Sequence, residues 1–205
     1  MELLLASSID SWYNVPMNIF VVDKNPVNAA RDLCDKHVVK MILESAQMLS
    51  TAHRVLDGSF YYREGKNGRK IPSHVHPDSY HDANLLLATM SGHPCTRWVM
   101  ESRQNYEWLF VHGYELCLEY TRRYEKTHKL QDLYIDLLHE FPDNIRDLGL
   151  TTFAQAMPDQ YKNLDAVTAY RNYYISEKAR FAKWKNGKIP GWYVDRLNPA
   201  AIMVV

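Results

Sequence analysis

The chain has 205 residues, a length that suits one domain with a sizeable core. Hydrophobic residues make up 46% of it and charged residues 23%, which excludes an intrinsically disordered protein. The 24 basic side chains balance the 24 acidic ones, so net charge gives no argument for binding nucleic acid and leaves only a local basic patch.

The three cysteines, Cys34, Cys95 and Cys117, are widely spaced and odd in number, which favours free thiols and a cytoplasmic location. No segment reaches the length of a membrane span. The apolar start, MELLLAS, lacks the basic residues that open a signal peptide, and we expect no contact with a membrane.

Residues 1–16 form a leader without periodicity, and we expect residues 17–205 to form a single helical domain. The segment NIFVVD at 18–23 is the best candidate for a strand, or at least for a buried extended segment. Asn25 and the proline after it are typical of a helix start, which predicts a short helix over 26–33.

The strongest pattern is a long helix over 35–56, a stretch with no glycine or proline. Its polar residues are spaced at steps of 3, 4, 3 and 4 and so share one face: His37, Lys40, Glu44, Gln47 and Thr51. The other faces are apolar, which indicates a buried helix. We call these five residues the polar stripe.

Two interpretations of the polar stripe stay open. It forms an internal network in which Lys40 and Glu44 hold each other charged, or it lines a cleft. In a cleft, His37, Lys40 and Glu44 would supply an imidazole, an amine and a carboxylate, a set that suits acid–base catalysis.

A long loop is expected over 57–77, with aromatic residues at its front and four lysines or arginines along it. Tyr61 and Tyr62 in this loop are candidates for stacking on bases. A solvated excursion of the chain is the competing interpretation.

Further helices are expected over 81–90, over 94–126 with a possible kink at Gly113, and over 129–140. Residues 145–163 lack a sustained period and are expected to be a loop. The fold class is therefore mainly α, a single compact helical domain with one short extended segment and long loops.

The last strong helix is predicted over 165–184. Six basic residues against two acidic ones give residues 165–188 a local charge of +4. Arg171 and Lys178 are candidates for phosphate contacts and Tyr174 for base stacking, whereas the competing interpretation places the aromatic rings in the core.

Metal binding and nucleotide-binding motifs receive little support. Cys34 and His37 have a ligand spacing, and His74, His76 and His81 follow in a loop, yet no second pair completes a set of four ligands. We therefore expect no metal and no cofactor, with zinc at these residues as the open alternative. No motif typical of phosphate-cradling loops or serine nucleophiles is present.

The segment from Leu33 to Glu44, LCDKHVVKMILE, resembles the catalytic segment of the pyrimidine-dimer DNA glycosylases of the phage endonuclease V type. Asp35, His37 and Glu44 keep the spacing of that family, and bacterial relatives share the pattern that Lys40, Gln47 and Leu49 complete. The Gly-His-Pro at 92–94 and the helical stretch after it are similar to the family's second long helix. The stretch AYRNYYISEK faintly resembles its aromatic tail.

The resemblance implies that Glu44 is the catalytic glutamate and that His93 and the basic aromatic helix lie beside DNA. One departure concerns the nucleophile, which in that family is the amine of an N-terminal threonine. Here sixteen residues precede Met17 and no such threonine follows. Lys40 or a water activated by Glu44 would take its place.

Our first functional interpretation is an enzyme that excises or modifies a pyrimidine flipped out of double-stranded DNA, acting in the host cytoplasm if a phage encodes it. Tyr61, Tyr62 or Tyr174 would be the aromatic side chain that wedges into the base stack when the pyrimidine flips out. A second is a DNA-binding or nucleotide-binding protein without catalysis. A third is an enzyme acting on free nucleotides in the same pocket.

Overall fold

A computed structural model describes residues 17–197 of the chain, and the predicted leader over 1–16 lies outside this part. The mainly α fold is confirmed. The helices are α1 Pro26–Asp32, α2 Asp35–Leu56, α3 Ser79–Asn84, α4 Pro94–Glu101, α5 Arg103–Tyr124, α6 Gln131–Asp136, α7 Ala166–Lys178 and α8 Gly191–Leu197. The two strands are β1 Ser59–Glu64 and β2 Lys70–Val75.

The long helices α2 and α5 form the centre of the fold. They pack against each other, α4 packs against both, and α1 packs against α5. Met41, Ile42 and Leu49 of α2 and Leu109 and Leu116 of α5 are fully buried between these elements. Burying a side chain of this size stabilises a fold by about 1.5–3 kcal/mol, so this seam fixes the position of the polar stripe.

The short segment before α1 is buried but is not a strand, so the strand prediction for 18–23 is wrong. Phe20 has a φ of 38°, and the Val22 amide donates to the Phe20 carbonyl at 2.7 Å, which makes a tight turn. The alternative of a buried segment is confirmed, since Ile19 and Val21 are inaccessible to solvent. Asn18 stabilises the turn by accepting from the Ile19 and Phe20 amides through its side-chain oxygen.

The predicted loop over 57–77 contains an antiparallel hairpin, which is a correction. Ser59 pairs with Val75 and Glu64 with Lys70, and Asn67 takes a left-handed φ of 64° at the tip. The hairpin can follow α2 directly because Gly58 has no side chain. A Cβ there would lie 2.3 Å from the Arg54 carbonyl oxygen.

Arg54 determines where the next helix ends. Its buried guanidinium donates to the main-chain carbonyls of His74, Asp82, Leu85 and Leu86 and pairs with the Asp82 carboxylate. Since the carbonyls of Leu85 and Leu86 bind Arg54 and do not continue a helix, α3 stops at Asn84 rather than at residue 90.

The predicted helix over 94–126 is two helices. Ser102 is extended, with a φ of −146°, and its hydroxyl caps α5 by accepting from the Gln104 amide. Gly113 does not kink α5. Its missing side chain makes room for the Tyr134 ring, whose hydroxyl would lie 2.5 Å from an added Cβ and which donates to the Ile42 carbonyl.

The remaining elements are shorter than predicted. Helix α6 covers part of 129–140, and α7 ends at Lys178 rather than at residue 184, while α8 was not predicted. Residues 145–163 are irregular apart from one 3-10 turn, as expected. Within residues 17–197, no helix is both long and apolar enough to cross a membrane.

An arginine inside the protein ties α5 to the turn before α2. The side chain of Arg123 is 1% exposed and donates to Glu119, to Asp35 and to the main-chain carbonyls of Arg31 and Leu33. Every charge-bearing atom of this arginine therefore has a partner, as a buried guanidinium requires.

Candidate functional site

The polar stripe lies along the edge of α2 and changes in exposure from residue to residue. His37, Glu44 and Thr51 are buried, whereas Lys40 and Gln47 are half-buried and reach the surface. Thr51 is used inside the fold, because its hydroxyl accepts from the Thr89 amide at 3.1 Å. The stripe is therefore neither wholly internal nor wholly exposed, and Lys40 and Glu44 lie at the boundary.

Glu44 is a buried carboxylate with two partners. Its Oε1 lies 2.7 Å from Lys40 Nζ, and its Oε2 accepts from the Asn18 amide at 3.0 Å. Burial raises the pKa of Glu44, and the charge and hydrogen bond of Lys40 only partly oppose that rise. A carboxyl group with a raised pKa takes up a proton more readily than an exposed one.

Lys40 is the more accessible member of the pair, since 32% of its side chain is exposed against 7% for Glu44. Its amine therefore stands between solvent and the buried carboxylate. The amine, which can act as a nucleophile, is therefore nearer the solvent, and the carboxylate that can accept its proton lies directly behind it.

His37 is held in the neutral form one turn before Lys40. Burial, together with the nearby charges of Lys178 and Lys40, lowers the pKa of His37 to about 3. Its Nδ1 lies 2.9 Å from the Tyr174 hydroxyl, and its ring stacks on Phe20 with centroids 4.4 Å apart. A neutral ring with Nδ1 accepting from Tyr174 carries its proton on Nε2.

Tyr174 lies in the core and supports the site from inside. It is inaccessible to solvent, and its hydroxyl oxygen accepts from the Cys34 amide at 2.8 Å as well as contacting His37. Its ring is closed off from a base in this structure, which corrects the predicted stacking role. The competing interpretation, aromatic rings of the last helix in the core, holds for this residue.

Lys178 comes from α7 to the same place. Its Nζ lies 3.1 Å from the Tyr173 hydroxyl, 4.4 Å from the centre of that ring and 5.9 Å from the centre of Phe20. Because His37 stacks on Phe20, the structure brings Lys178 together with the polar stripe. The sequence analysis did not predict Phe20 and Tyr173 as site residues. Phe20 lies in the buried turn before α1 and Tyr173 on α7, and only the fold brings these distant segments together.

Arg171 lies further along α7 and is partly occupied by the fold. Its Nε donates to the Val22 carbonyl at 2.8 Å, and its guanidinium lies 3.8 Å from Asp23. It also lines a small surface cleft of about 330 Å³ with Asp23, Lys24 and Asp165. Of the two basic residues predicted for phosphate contact, Lys178 is the one that lies near His37 of the polar stripe.

Tyr61 and Tyr62 are exposed on β1, with 42% and 58% of their surface accessible. They are not beside the polar stripe's centre, because the hairpin begins after α2 ends, and Glu44 lies about 18 Å along the helix axis from Leu56. A ligand that contacts both places at once must therefore extend over at least about that distance.

His93 caps the start of α4, where its Nδ1 accepts from the Cys95 amide at 3.2 Å. Its neighbours Gly92 and Pro94 line a surface cleft of about 590 Å³ together with Arg97 and Arg146. These two arginines were not singled out from the sequence, because they are far apart in the chain and meet only through the loop that crosses α4.

The histidine and cysteine residues considered for zinc are not brought together as a set. Cys34 and His37 lie near Tyr174, whereas His74 and His76 lie at the hairpin. Among residues 17–197, the groups of three possible ligands include neither Cys34, His37 nor His74.

Comparison with known families identifies the class of protein that this arrangement belongs to. The model of the family described as pyrimidine dimer DNA glycosylase matches residues 17–132, which is more than half of the chain. The chain therefore belongs to this family, and the resemblance seen at Leu33–Glu44 is confirmed. Comparisons with the curated proteins and with the solved structures gave no match.

Proposed function

We propose that this protein is a DNA glycosylase that removes a damaged or modified pyrimidine, with Glu44 and Lys40 at the reacting sugar. The observation that carries the proposal is the contact of 2.7 Å between a buried carboxylate and a partly exposed amine, within the segment that matches the family. Family membership supports DNA as the substrate, and the pair supports the chemistry.

The proposed reaction begins with a proton transfer from the Lys40 ammonium to Glu44, whose raised pKa favours it. The neutral amine then attacks C1′ of the sugar, and the bond from C1′ to the pyrimidine breaks with its electron pair on the base. The proton held by Glu44 passes to the departing base. The new carbon–nitrogen bond becomes an imine as O4′ leaves C1′ and takes the proton lost by the amine.

The peptide nitrogen of Asn18 does not serve as the nucleophile in this chain. It is an amide, with its electron pair delocalised, and it donates its hydrogen to Glu44 at 3.0 Å. The hydrogen bond from the Asn18 amide to the second carboxylate oxygen orients Glu44. His37 is proposed to position Lys40 and Lys178 as a neutral ring and to take no proton itself.

We propose that DNA contacts the surface from the polar stripe to the exposed Arg97 and Arg146. Lys178 lies near His37 of the polar stripe, and Arg97 and Arg146 line the larger cleft, where they would face phosphates. Tyr61 and Tyr62 remain candidate stacking residues on the hairpin, and the flipped base and the wedge stay proposals.

The experiment that tests this function measures base release and covalent trapping together. Purified protein is incubated with ultraviolet-irradiated duplex DNA and with the same undamaged duplex, with and without borohydride, which reduces an imine to a stable amine. We expect release from the irradiated duplex and a trapped protein–DNA complex. The trapped complex should disappear in Lys40→Arg, because a guanidinium does not form an imine.

Other outcomes separate the alternatives. Base release without trapping would support a water activated by Glu44 and remove Lys40 as nucleophile. DNA binding without release would support the non-catalytic protein, and release from free nucleotides alone would support the third interpretation. The proposal fails if neither duplex reacts while the protein is folded.

A separate prediction concerns phosphate contact by Lys178. We expect Lys178→Gln to weaken duplex binding and to reduce the slope of log affinity against log salt by about one unit, because one phosphate contact is lost. The measurement is a fluorescence anisotropy titration at several salt concentrations.

The matched control is Lys162→Gln, since Lys162 is also partly exposed but its Nζ already pairs with Asp159 at 2.7 Å. Its salt slope should equal that of the wild type. An unchanged slope in Lys178→Gln would show that this part of α7 does not meet phosphate.

A further inference from the structure

The two-stranded hairpin carries a group of aromatic and apolar side chains on one of its two faces. In the antiparallel register Phe60 pairs with His74 and Tyr62 pairs with Pro72. Directly paired residues, and residues two apart on one strand, project from the same side of a sheet, so these four side chains share a face. We call it the outer face of the hairpin.

The opposite face of the hairpin is the one turned toward the body of the protein. It carries the buried Ser73 and the half-buried Arg63 and Ile71. Tyr61 belongs to this face too, because it pairs with Ser73. Tyr61 and Tyr62 are neighbours in the sequence but project in opposite directions, so only Tyr62 can bind a ligand together with Phe60.

The rings of the outer face contact one another at their edges and leave ring surface open. The Phe60 ring centre lies 5.0 Å from that of Tyr62 and 5.4 Å from that of His74, with the planes at 82° and 72°. Phe60 and Tyr62 nevertheless keep 55% and 58% of their surface exposed. Exposed apolar side chains that are grouped in this way mark an interaction surface.

Positive charge accompanies these rings in a protein that has no net charge. Residues 59–75 hold four basic side chains against one acidic one, which gives the hairpin a local charge of +3. Lys70 ends the outer face on β2, and the exposed Arg69 precedes it. The partner that complements this hairpin therefore combines flat apolar groups with negative charge.

We propose that the outer face binds an unpaired stretch of DNA, with bases on Phe60 and Tyr62 and phosphates beside Arg69 and Lys70. Bases of any sequence stack on exposed aromatic rings, while basic side chains follow the strand. The bases of an intact duplex stack on one another and show only their edges in the grooves, so they offer these rings no flat surface. The family to which the chain belongs acts on DNA, which favours DNA over RNA.

This binding is separate from the proposed release of a base. The hairpin starts at Ser59, after the end of α2, whereas Glu44 lies about 18 Å along the helix axis from Leu56. Stacking on Phe60 and Tyr62 needs neither Glu44 nor a damaged base. A protein that releases no base would still bind an unpaired strand, and the two proposals therefore fail independently.

The test is an anisotropy titration of the full chain with a fluorescein-labelled oligothymidylate of about 15 nucleotides, which covers one site of this kind. We expect the wild type to bind it, and Phe60→Ala and Tyr62→Ala each to bind at least about fivefold more weakly, since a base loses its ring. Neither variant should change the slope of log affinity against log salt, because no phosphate contact is lost. Lys70→Gln should reduce that slope by about 0.7.

Tyr80→Ala is the matched control, because Tyr80 is 57% exposed, much as Tyr62 is, but lies on α3 outside the hairpin. It should bind the oligothymidylate as the wild type does. Tyr62→Ala should also bind an undamaged, fully paired duplex as the wild type does, since the duplex presents no base to the ring. Circular dichroism shows that each variant is folded, and either ring variant suffices for the test.

Three results would overturn the proposal. The first is a wild type that does not bind the oligothymidylate, and the second is ring variants that bind it with unchanged affinity. The third is an equal loss of single-stranded and duplex binding in Tyr62→Ala. If the wild type does not bind but forms dimers that Tyr62→Ala separates, the outer face is a contact between two copies of the chain.

Discussion

Replacing Glu44 by glutamine is expected to lower the rate of base release at least about a hundredfold. Glutamine keeps the size of the side chain and can still accept from the Asn18 amide, but it can neither take the proton of Lys40 nor deliver one to the departing base. The measurement is single-turnover release from irradiated duplex, which reports the chemical step and excludes product release.

The same variant should keep its stability at pH 7 within about 1 kcal/mol of the wild type, or gain slightly. Because burial raises the pKa of Glu44, the stability that its protonated form contributes is complete below the ordinary pKa and is lost as pH rises through the raised value. Glutamine does not ionise and avoids that loss. Lys40 stays solvated in the variant, since about a third of its side chain is exposed.

Urea unfolding at several pH values tests the stability part, and Glu107→Gln, an exposed glutamate of α5, is the control for activity. A loss of about 3 kcal/mol or more with normal activity per folded molecule would mean that Glu44 only maintains a core network. That result would remove Glu44 from the catalytic proposal.

The largest loss of stability is expected from Arg123→Met. The substitution removes one partner each of Glu119 and Asp35 and leaves the main-chain carbonyls of Arg31 and Leu33 without the donors that Arg123 supplies. Breaking a buried ion pair from one side costs about 3–5 kcal/mol. Chemical denaturation should therefore show a lower midpoint with a similar slope.

Arg122→Met is the matched control, since the neighbouring arginine bonds to Glu115 and also to Glu119 but has 46% of its side chain exposed. We expect it to cost no more than about 1 kcal/mol. Equal effects of the two substitutions would show that burial does not set the strength of this network.

Local patterns in the sequence predicted the central helix correctly, and its observed bounds match the predicted 35–56. The apolar faces of that stretch and its polar stripe come from residues three or four positions apart, so the helical period of 3.6 residues reveals them in the sequence. The start of α1 was predicted for the same reason, since Asn25 accepts from the Val27 and Asn28 amides next to it.

The errors lie where distant residues decide the local structure. The hairpin depends on pairing across a turn of five residues, with Pro72 placed in a strand of a two-stranded sheet. The early end of α3 depends on Arg54, and the break between α4 and α5 on Ser102, whose hydroxyl donates to the Gly149 carbonyl. The partners of Arg54 and Ser102 in these contacts lie 31 or more residues away in the sequence.

The candidate site was predictable in part for the same physical reason. Glu44, Lys40 and His37 share one helix face and were found together, whereas Phe20, Tyr173 and the arginines of the larger cleft come from other elements. Tyr174 is buried because α7 packs against the start of α2. The helical period of α7 alone does not reveal which element covers that face. The domain limits at 17 and 205 stay a prediction.

The three free cysteines can report local unfolding of the segments that contain them. Cys34, Cys95 and Cys117 are all inaccessible, and burial raises the pKa of Cys95 and of Cys117 to about 12. A thiol reagent reacts with the thiolate, so each site stays silent until its surroundings open. Cys34 precedes α2, while Cys95 lies in α4 and Cys117 in α5, so labelling followed by peptide mass would rank these helices by how often each leaves the packed state.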